Sequence, residues 1–360
     1  MEVSTIIIDL LRQILPYISG LYTLIWILIG FLVTFLLSFL IPRQRIDAIM
    51  KKIGLILLFF FIPILFFRIF IDTGFGIEQI GFSLLTCLTI LLMYFIAWLY
   101  AHHKTRNLNG SDITRTKAMK TILTNQGRSS AFIGGAMLAI PKWSVEAGLY
   151  MALLGIVLFA IIPYILTRFN KKETQQAPAD HHIHSLPWYL KLYPWYLIGF
   201  LVAAITLHSF TGLTTADFGD AGIVLQFYSA LTIPAALYYV GAGIHPKDLK
   251  RSELKKLIAA TKTPSHDVHW SLVRSIIMLT VVITPLITLG IFTPLLLLHL
   301  LPKEWFAVII INAFLPVTST NMFLVPYGID KRITAHVVTW TTLICVSIVV
   351  VLIYLFSLYL

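Results

Sequence analysis

The sequence predicts an all-α polytopic membrane protein with ten transmembrane helices, arranged as two inverted five-helix repeats whose fourth and ninth helices are broken. Three observations predict it. The first is composition: 58% of the 360 residues are hydrophobic and 12% are charged, against about 25% charged in a soluble domain. The second is the segregation of basic residues to alternate loops. The third is a polar interruption at the same depth in two apolar segments. Apolar runs of ~20 residues, each long enough for a ~30 Å hydrocarbon core, exclude a soluble enzyme, a nucleic-acid-binding protein and a disulfide-rich secreted domain.

From the N-terminus, residues 1–19 read as an interfacial segment. Asp9 and Arg12 interrupt the first apolar stretch, which ends at Pro16 and is too short to span. It lacks the basic start of a signal peptide. The spans are expected at 20–41, 53–71, 80–100, 118–140 and 145–167, then at 194–211, 221–243, 271–293, 304–326 and 335–359. Pro285 and Pro294 interrupt the eighth, where apolar sequence runs on to Leu301. Trp143, Trp188, Trp195, Trp270 and Trp305 sit where interfacial aromatic belts belong.

The net charge of +11 follows the positive-inside rule rather than an affinity for nucleic acid. Arg43, Arg45, Lys51 and Lys52 fall in the first internal loop, and Lys104, Arg106, Arg115, Lys117 and Lys120 in the second. Lys171, Lys172 and Lys191 lie in the central linker and Arg168 stands just before it. Seven further Lys and Arg residues lie between Lys247 and Arg274, and Lys331 and Arg332 precede the last span. Outside that set stand Arg12, Arg68, Lys142 and Lys303, beside acidic turns at Asp72, Glu78, Asp217 and Asp220. This places the basic loops in the cytoplasm and both termini on the extracytoplasmic side of the cell membrane.

The polar linker 170–193 separates a first five-helix repeat, 20–169, from a second, 194–360. An odd number of spans per half makes the second enter from the opposite face, as in the inverted repeats of secondary transporters. Ile62-Pro63 in the second span and Ile233-Pro234 in the seventh occupy corresponding positions.

Polarity at mid-span is the stronger signal. The fourth span holds Thr124, Asn125, Gln126, Gly127, Arg128, Ser129 and Ser130, followed by Gly134-Gly135. The ninth holds Asn312, Pro316, Thr318, Ser319, Thr320 and Asn321. A broken helix survives in a membrane only where protein or a cavity receives its backbone, and paired breaks point to a transporter binding site. Ser and Thr in such helices often bond their own backbone, whereas a carboxamide has four hydrogen-bonding sites to satisfy. Arg128 either faces an anionic solute or snorkels to the cytoplasmic surface.

No span carries a central Asp or Glu, so a carboxylate relay for a coupling ion is not expected; H⁺ or Na⁺ coupling stays open. His208 and His336 read as interfacial. Loose histidine groups (His102, His103, His181, His182, His184, and His266 with His269) lack acidic or cysteine partners for a metal. Cys87 and Cys345 lie inside apolar segments, where a disulfide is not expected. No phosphate-binding loop, HExxH, catalytic triad, voltage sensor or filter loop is present. The expectation is therefore no enzyme, no cofactor and no nucleic-acid partner.

Four segments resemble the auxin efflux carrier family, within the larger group that includes bile-acid:sodium symporters. They are Phe59–Phe67 (FFFIPILFF), Ser129–Leu138 (SSAFIGGAML), Ser229–Leu249 (SALTIPAALYYVGAGIHPKDL) and Ile311–Ala335 (INAFLPVTSTNMFLVPYGIDKRITA). The resemblance implies a crossover of the broken fourth and ninth helices at the substrate site and elevator-like alternating access. It also implies transport of a small organic anion, auxin-like or dicarboxylic. Ser129 stands where the family has Asn, and Ala136 where it has Pro, so Gly127, Gly134 and Gly135 are left to make the break.

The reading is a secondary active transporter of a small organic anion in the plasma membrane. Arg128 is the expected counter-charge, and Asn125, Ser129, Ser130, Asn312, Thr320 and Asn321 the expected hydrogen-bonding groups. Pro316 keeps the ninth helix open, and Gln226 and Tyr228 are secondary candidates. A homodimer is compatible with the elevator scheme. The alternatives are a carrier of a non-carboxylate solute on the same fold and a non-transporting membrane sensor.

Overall fold

The computed structural model describes residues 25–74, 76–106, 112–130, 133–174, 188–244, 267–318, 320–321, 324 and 329–359. The N-terminal interfacial segment, most of the central linker and the basic stretch 245–266 lie outside them. Among the described residues nearly everything is helical. In chain order the helices are α1 (Ile25–Leu40), α2 (residues 43–71), α3 (Ile77–Arg106), α4 (Asp112–Thr124), α5 (residues 144–174), α6 (Trp188–Thr211), α7 (Asp220–Ala242), α8 (residues 267–297), α9 (Lys303–Phe314) and α10 (Lys331–Tyr359). Among the described residues five stretches are long and apolar enough to cross a membrane: Gln44–Ile71, Ile77–Arg106, Asp220–Ala242, His269–Leu297 and Lys331–Tyr359. The chain is an all-α protein built for a membrane.

Several boundaries differ from expectation. The first internal loop shrinks to Ile41-Pro42, because helix resumes at Arg43 and carries the basic residues on its opening turns. Proline suits that position, since its missing N–H is not needed at a helix start. Lys120 does not lie in a loop. It rides on α4 and is 1% exposed. In α8 the helix passes Pro294 and continues to Leu297.

Among the described residues three helices carry a five-residue π-helical segment: Leu57–Phe61, Val157–Ile161 and Leu279–Ile283. In each case a proline follows two residues later, at Pro63, Pro163 and Pro285. A proline offers no N–H to the carbonyl four residues back, and the wider register accommodates that loss. The carbonyl four residues before Pro63 is that of Phe59, and it accepts the Tyr196 hydroxyl at 3.0 Å.

By internal packing the chain forms two compact units that cut across the sequence halves. One comprises Met1–Leu84, Ser130–Ala152 and Trp195–His245, and the other Leu85–Ser129, Leu153–Pro194 and Pro246–Leu360.

In the first unit α1 and α7 pack closely. A Cβ on Gly30 would strike the Tyr238 carbonyl, and one on Gly241 the Ile27 carbonyl, so small residues permit backbone contact, as is usual between membrane helices. Thr232 Oγ1 donates to the Phe61 carbonyl at 3.2 Å. Asp72 Oδ1 accepts from both the N–H and the hydroxyl of Thr215 at 2.6 Å. In the second unit Ala97, Ala101, Ile122, Trp270, Val273, Ile276 and Val337 belong to one buried apolar cluster.

Candidate functional site

The two interrupted segments end as helices for different reasons. In α4 the last regular bond runs from Asn125 N–H to Thr121 O, at 3.1 Å. Gln126 N–H then reaches Leu123 O and Gly127 N–H reaches Thr124 O, both at 3.2 Å, the tightened turns of a helix end. In α9 the stop is Pro316. It forces Leu315 out of the helical region, to φ −61°, ψ 145°.

Both ends leave backbone groups without helical partners, and they satisfy each other. Arg128 and Val317 form an antiparallel bridge. Ser129 N–H donates to Pro316 O at 2.9 Å, and Thr318 N–H donates to Gly127 O at 2.9 Å. Val317 N–H donates to Thr341 Oγ1 of α10 at 3.1 Å. Buried backbone polar groups must find partners somewhere, and here a two-stranded contact stands in for two missing helical turns.

This contact fixes Arg128. Its side chain is 2% exposed, and Nη1 points to the Leu315 carbonyl at 3.5 Å. Of the two placements open from sequence, snorkelling to the surface is excluded: the guanidinium is enclosed by protein at the bridge.

The other candidate residues divide. Asn321 is wholly buried, and neither atom of its carboxamide has a hydrogen-bond partner among the described residues. It stands against Gly127, where a Cβ would lie 2.7 Å from Asn321 Oδ1; glycine here is what admits Asn321. Thr320 is held by Thr318, their hydroxyls 2.9 Å apart. Asn125 is buried and donates Nδ2 to Thr121 O at 2.8 Å and to Thr334 Oγ1 at 3.1 Å. Ser129 is buried and contributes the bridge N–H. Asn312 turns its Nδ2 back to Val308 O of its own helix at 2.9 Å. Ser130 is buried but packs with the other unit, to which Gln226 and Tyr228 also belong. Ser319 lies outside the described residues.

Sequence reading missed the residues behind the site. Thr121 donates to Lys117 O and accepts from Asp330 N–H. Asp330 caps α10, accepting the N–H groups of Arg332 and Ile333 at 3.0 Å each, and pairs with Lys117 at 3.1 Å. Burial pushes the Asp330 carboxyl up. The Ile333 N–H, the Lys117 ammonium and the Arg332 N–H together outweigh that and hold it below its ordinary value. Lys117, Thr121 and Asn125 recur every four residues along one face of α4, and that spacing was the available signal. It went unread because a lysine and a threonine at a helix start look like loop and cap residues.

Among the described residues no group of three or more His, Cys, Asp or Glu could hold a metal ion; His181, His182, His184 and His266 lie outside them. Cys87 and Cys345 are free thiols. No protein-family model matches the chain, and no curated protein matches it either.

Proposed function

We propose that the protein is a secondary active transporter of a small organic anion, with its binding site at the paired helix breaks. One observation carries this reading: a buried guanidinium, Arg128, is held at the bridge between the two breaks, within one unit of the fold. A positive charge inside a membrane protein is costly and by default functional. Unpartnered polar atoms on Thr124, Asn125, Gln126 and Asn321 cluster in sequence about the same two breaks, and buried polar groups left so are expected to meet a ligand or ordered water.

The proposal includes ten spans in two inverted repeats, with basic loops cytoplasmic and both termini outside, and with membership of the carrier group that the sequence resembles. The division of the chain into two units, one containing α4, α9 and α10 and the other α1, α2 and α7, supports an elevator-type mechanism. No enzymatic chemistry is assigned. The coupling ion, H⁺ or Na⁺, is left to the same test.

The test is charge movement in proteoliposomes on a solid-supported membrane, with mono- and dicarboxylates applied with and without Na⁺. Saturable currents in the wild type that vanish in Arg128→Ala, with its thermal unfolding unchanged, are expected. Equal binding of carboxylates by Arg128→Ala would sink the assignment of the counter-charge.

A further inference from the structure

The opening turns of α8 and α10 meet through two histidines. His269 is half-buried on α8, and His336 is 6% exposed on α10. Nε2 of His269 lies 3.3 Å from Nδ1 of His336, and that Nδ1 lies 2.9 Å from the Arg332 carbonyl. A carbonyl only accepts, so Nδ1 of His336 carries a hydrogen. A ring nitrogen that carries a hydrogen has no lone pair to offer, so across the 3.3 Å contact only His269 can accept. Its Nε2 is therefore bare, and its hydrogen sits on Nδ1. The two distances together fix both tautomers. Trp270 backs the pair: its ring centroid is 5.1 Å from that of His336, and it is buried in the apolar cluster that includes Ile333 and Val337 of α10.

This contact has no place for another proton. One added at Nε2 of His269 would set N–H against N–H across the seam, and two donors repel. We infer that Nε2 of His269 is a proton-binding site separate from the paired breaks, and that protonation there opens the contact between α8 and α10.

The effect has a route to the breaks. Arg332 shares the first turn of α10 with Thr334, whose hydroxyl accepts from Asn125 Nδ2 at 3.1 Å. The histidine pair, Thr334 and Asn125 all lie in one unit of the fold. Freeing this turn of α10 from α8 loosens its hold on the end of α4.

The charged groups at this end are mostly cations. Lys104 of α3 and Arg274 of α8 are half-buried, and Lys120 of α4 is buried. His102, His103 and Arg106 of α3, Arg115 and Lys117 of α4, Arg168 of α5, and Lys331 and Arg332 of α10 are exposed. The carboxylate of Asp330 is held by Lys117 at 3.1 Å.

The test is amide hydrogen exchange of the full chain in lipid nanodiscs at about pH 8 and about pH 5.5, either side of an ordinary histidine. Wild type is compared with His269→Gln at each pH, so the intrinsic pH dependence of exchange cancels. Glutamine offers His336 an acceptor oxygen at both pH values. At the higher pH the two proteins should exchange alike. At the lower one wild type should exchange roughly threefold faster or more in peptides covering 267–273 and 331–336, and faster also in 121–127. His336→Phe keeps a ring against Trp270 and has no N–H, so in that background His269→Gln should change nothing at either pH. Equal exchange of wild type and His269→Gln at the lower pH overturns the inference. An equal difference at both pH values also overturns it, because His269 would then act by packing and not by its proton. So does a pH-dependent difference that survives in His336→Phe, and one that never reaches 121–127 removes the link to the breaks.

Discussion

A Cβ on Gly127 would stand 2.7 Å from Oδ1 of Asn321. Real side chains do not tolerate that distance, so the carboxamide would have to turn away. The backbone at 127 is meanwhile tied down by the Thr318 N–H. Gly127→Ala is therefore expected to act on the solute before it acts on the fold. The expected loss of affinity is about tenfold, roughly 1.4 kcal/mol, and Asn321→Ala in the same background should add little to it. Independent, additive losses in binding titrations of the two single variants and the double variant would show that the two positions do not share one contact.

Asp330 and Lys117 pair at 3.1 Å, but their contributions are expected to differ. The ammonium is half exposed, with 50% side-chain accessibility, and exposed ion pairs contribute about 0–1 kcal/mol. The carboxylate also caps α10 through two N–H groups, and a lost cap costs about 1 kcal/mol. Asp330→Ala should thus lower thermal stability in detergent clearly more than Lys117→Met. Equal melting shifts for the two would mean the ion pair, not the cap, carries the effect.

The same carboxylate sets an acid limit. Its folded-state value is depressed below 3.8, so folding favours the ionised form. The stabilisation is complete above the unfolded value and is lost as pH falls through the lower folded value. Wild type should therefore lose stability relative to Asp330→Asn between about pH 4 and the onset of acid unfolding, the gap being constant at neutral pH. Thermal melts of both proteins on a pH series measure this, and a gap that widens on acidification would reverse the sign.

How far the fold was legible depended on the kind of signal. The breaks at Gly127 and Pro316 were readable because glycine, proline and clustered polar residues are rare together inside apolar segments. Arg128 could be named but not placed, since burial depends on the strand contact to Leu315, Pro316 and Val317, nearly two hundred residues away. Thr334 and Thr341 were invisible as site residues. A threonine in a membrane helix usually bonds its own backbone, and only the geometry shows Thr334 accepting from Asn125 and Thr341 accepting from Val317. The division into packed units was equally hidden, because it joins segments from both halves of the chain.

Tyr196 offers the cleanest separation of a local effect from a global one. Its hydroxyl donates to the carbonyl of Phe59, the residue four before Pro63, and its ring lies 6.0 Å from that of Phe59. Removing the hydroxyl keeps the ring and takes one donor from that carbonyl, at a cost of about 0.5–1.5 kcal/mol. Pro63→Ala restores an N–H that can bond Phe59 O directly, returning the π-helical stretch Leu57–Phe61 to a regular register. Tyr196→Phe should therefore destabilise the wild-type background and be close to neutral in Pro63→Ala. The double-mutant cycle, read by chemical or thermal unfolding in detergent, is expected to be non-additive. Additive changes would mean that the Tyr196 hydroxyl and Pro63 do not act on the same Phe59 carbonyl.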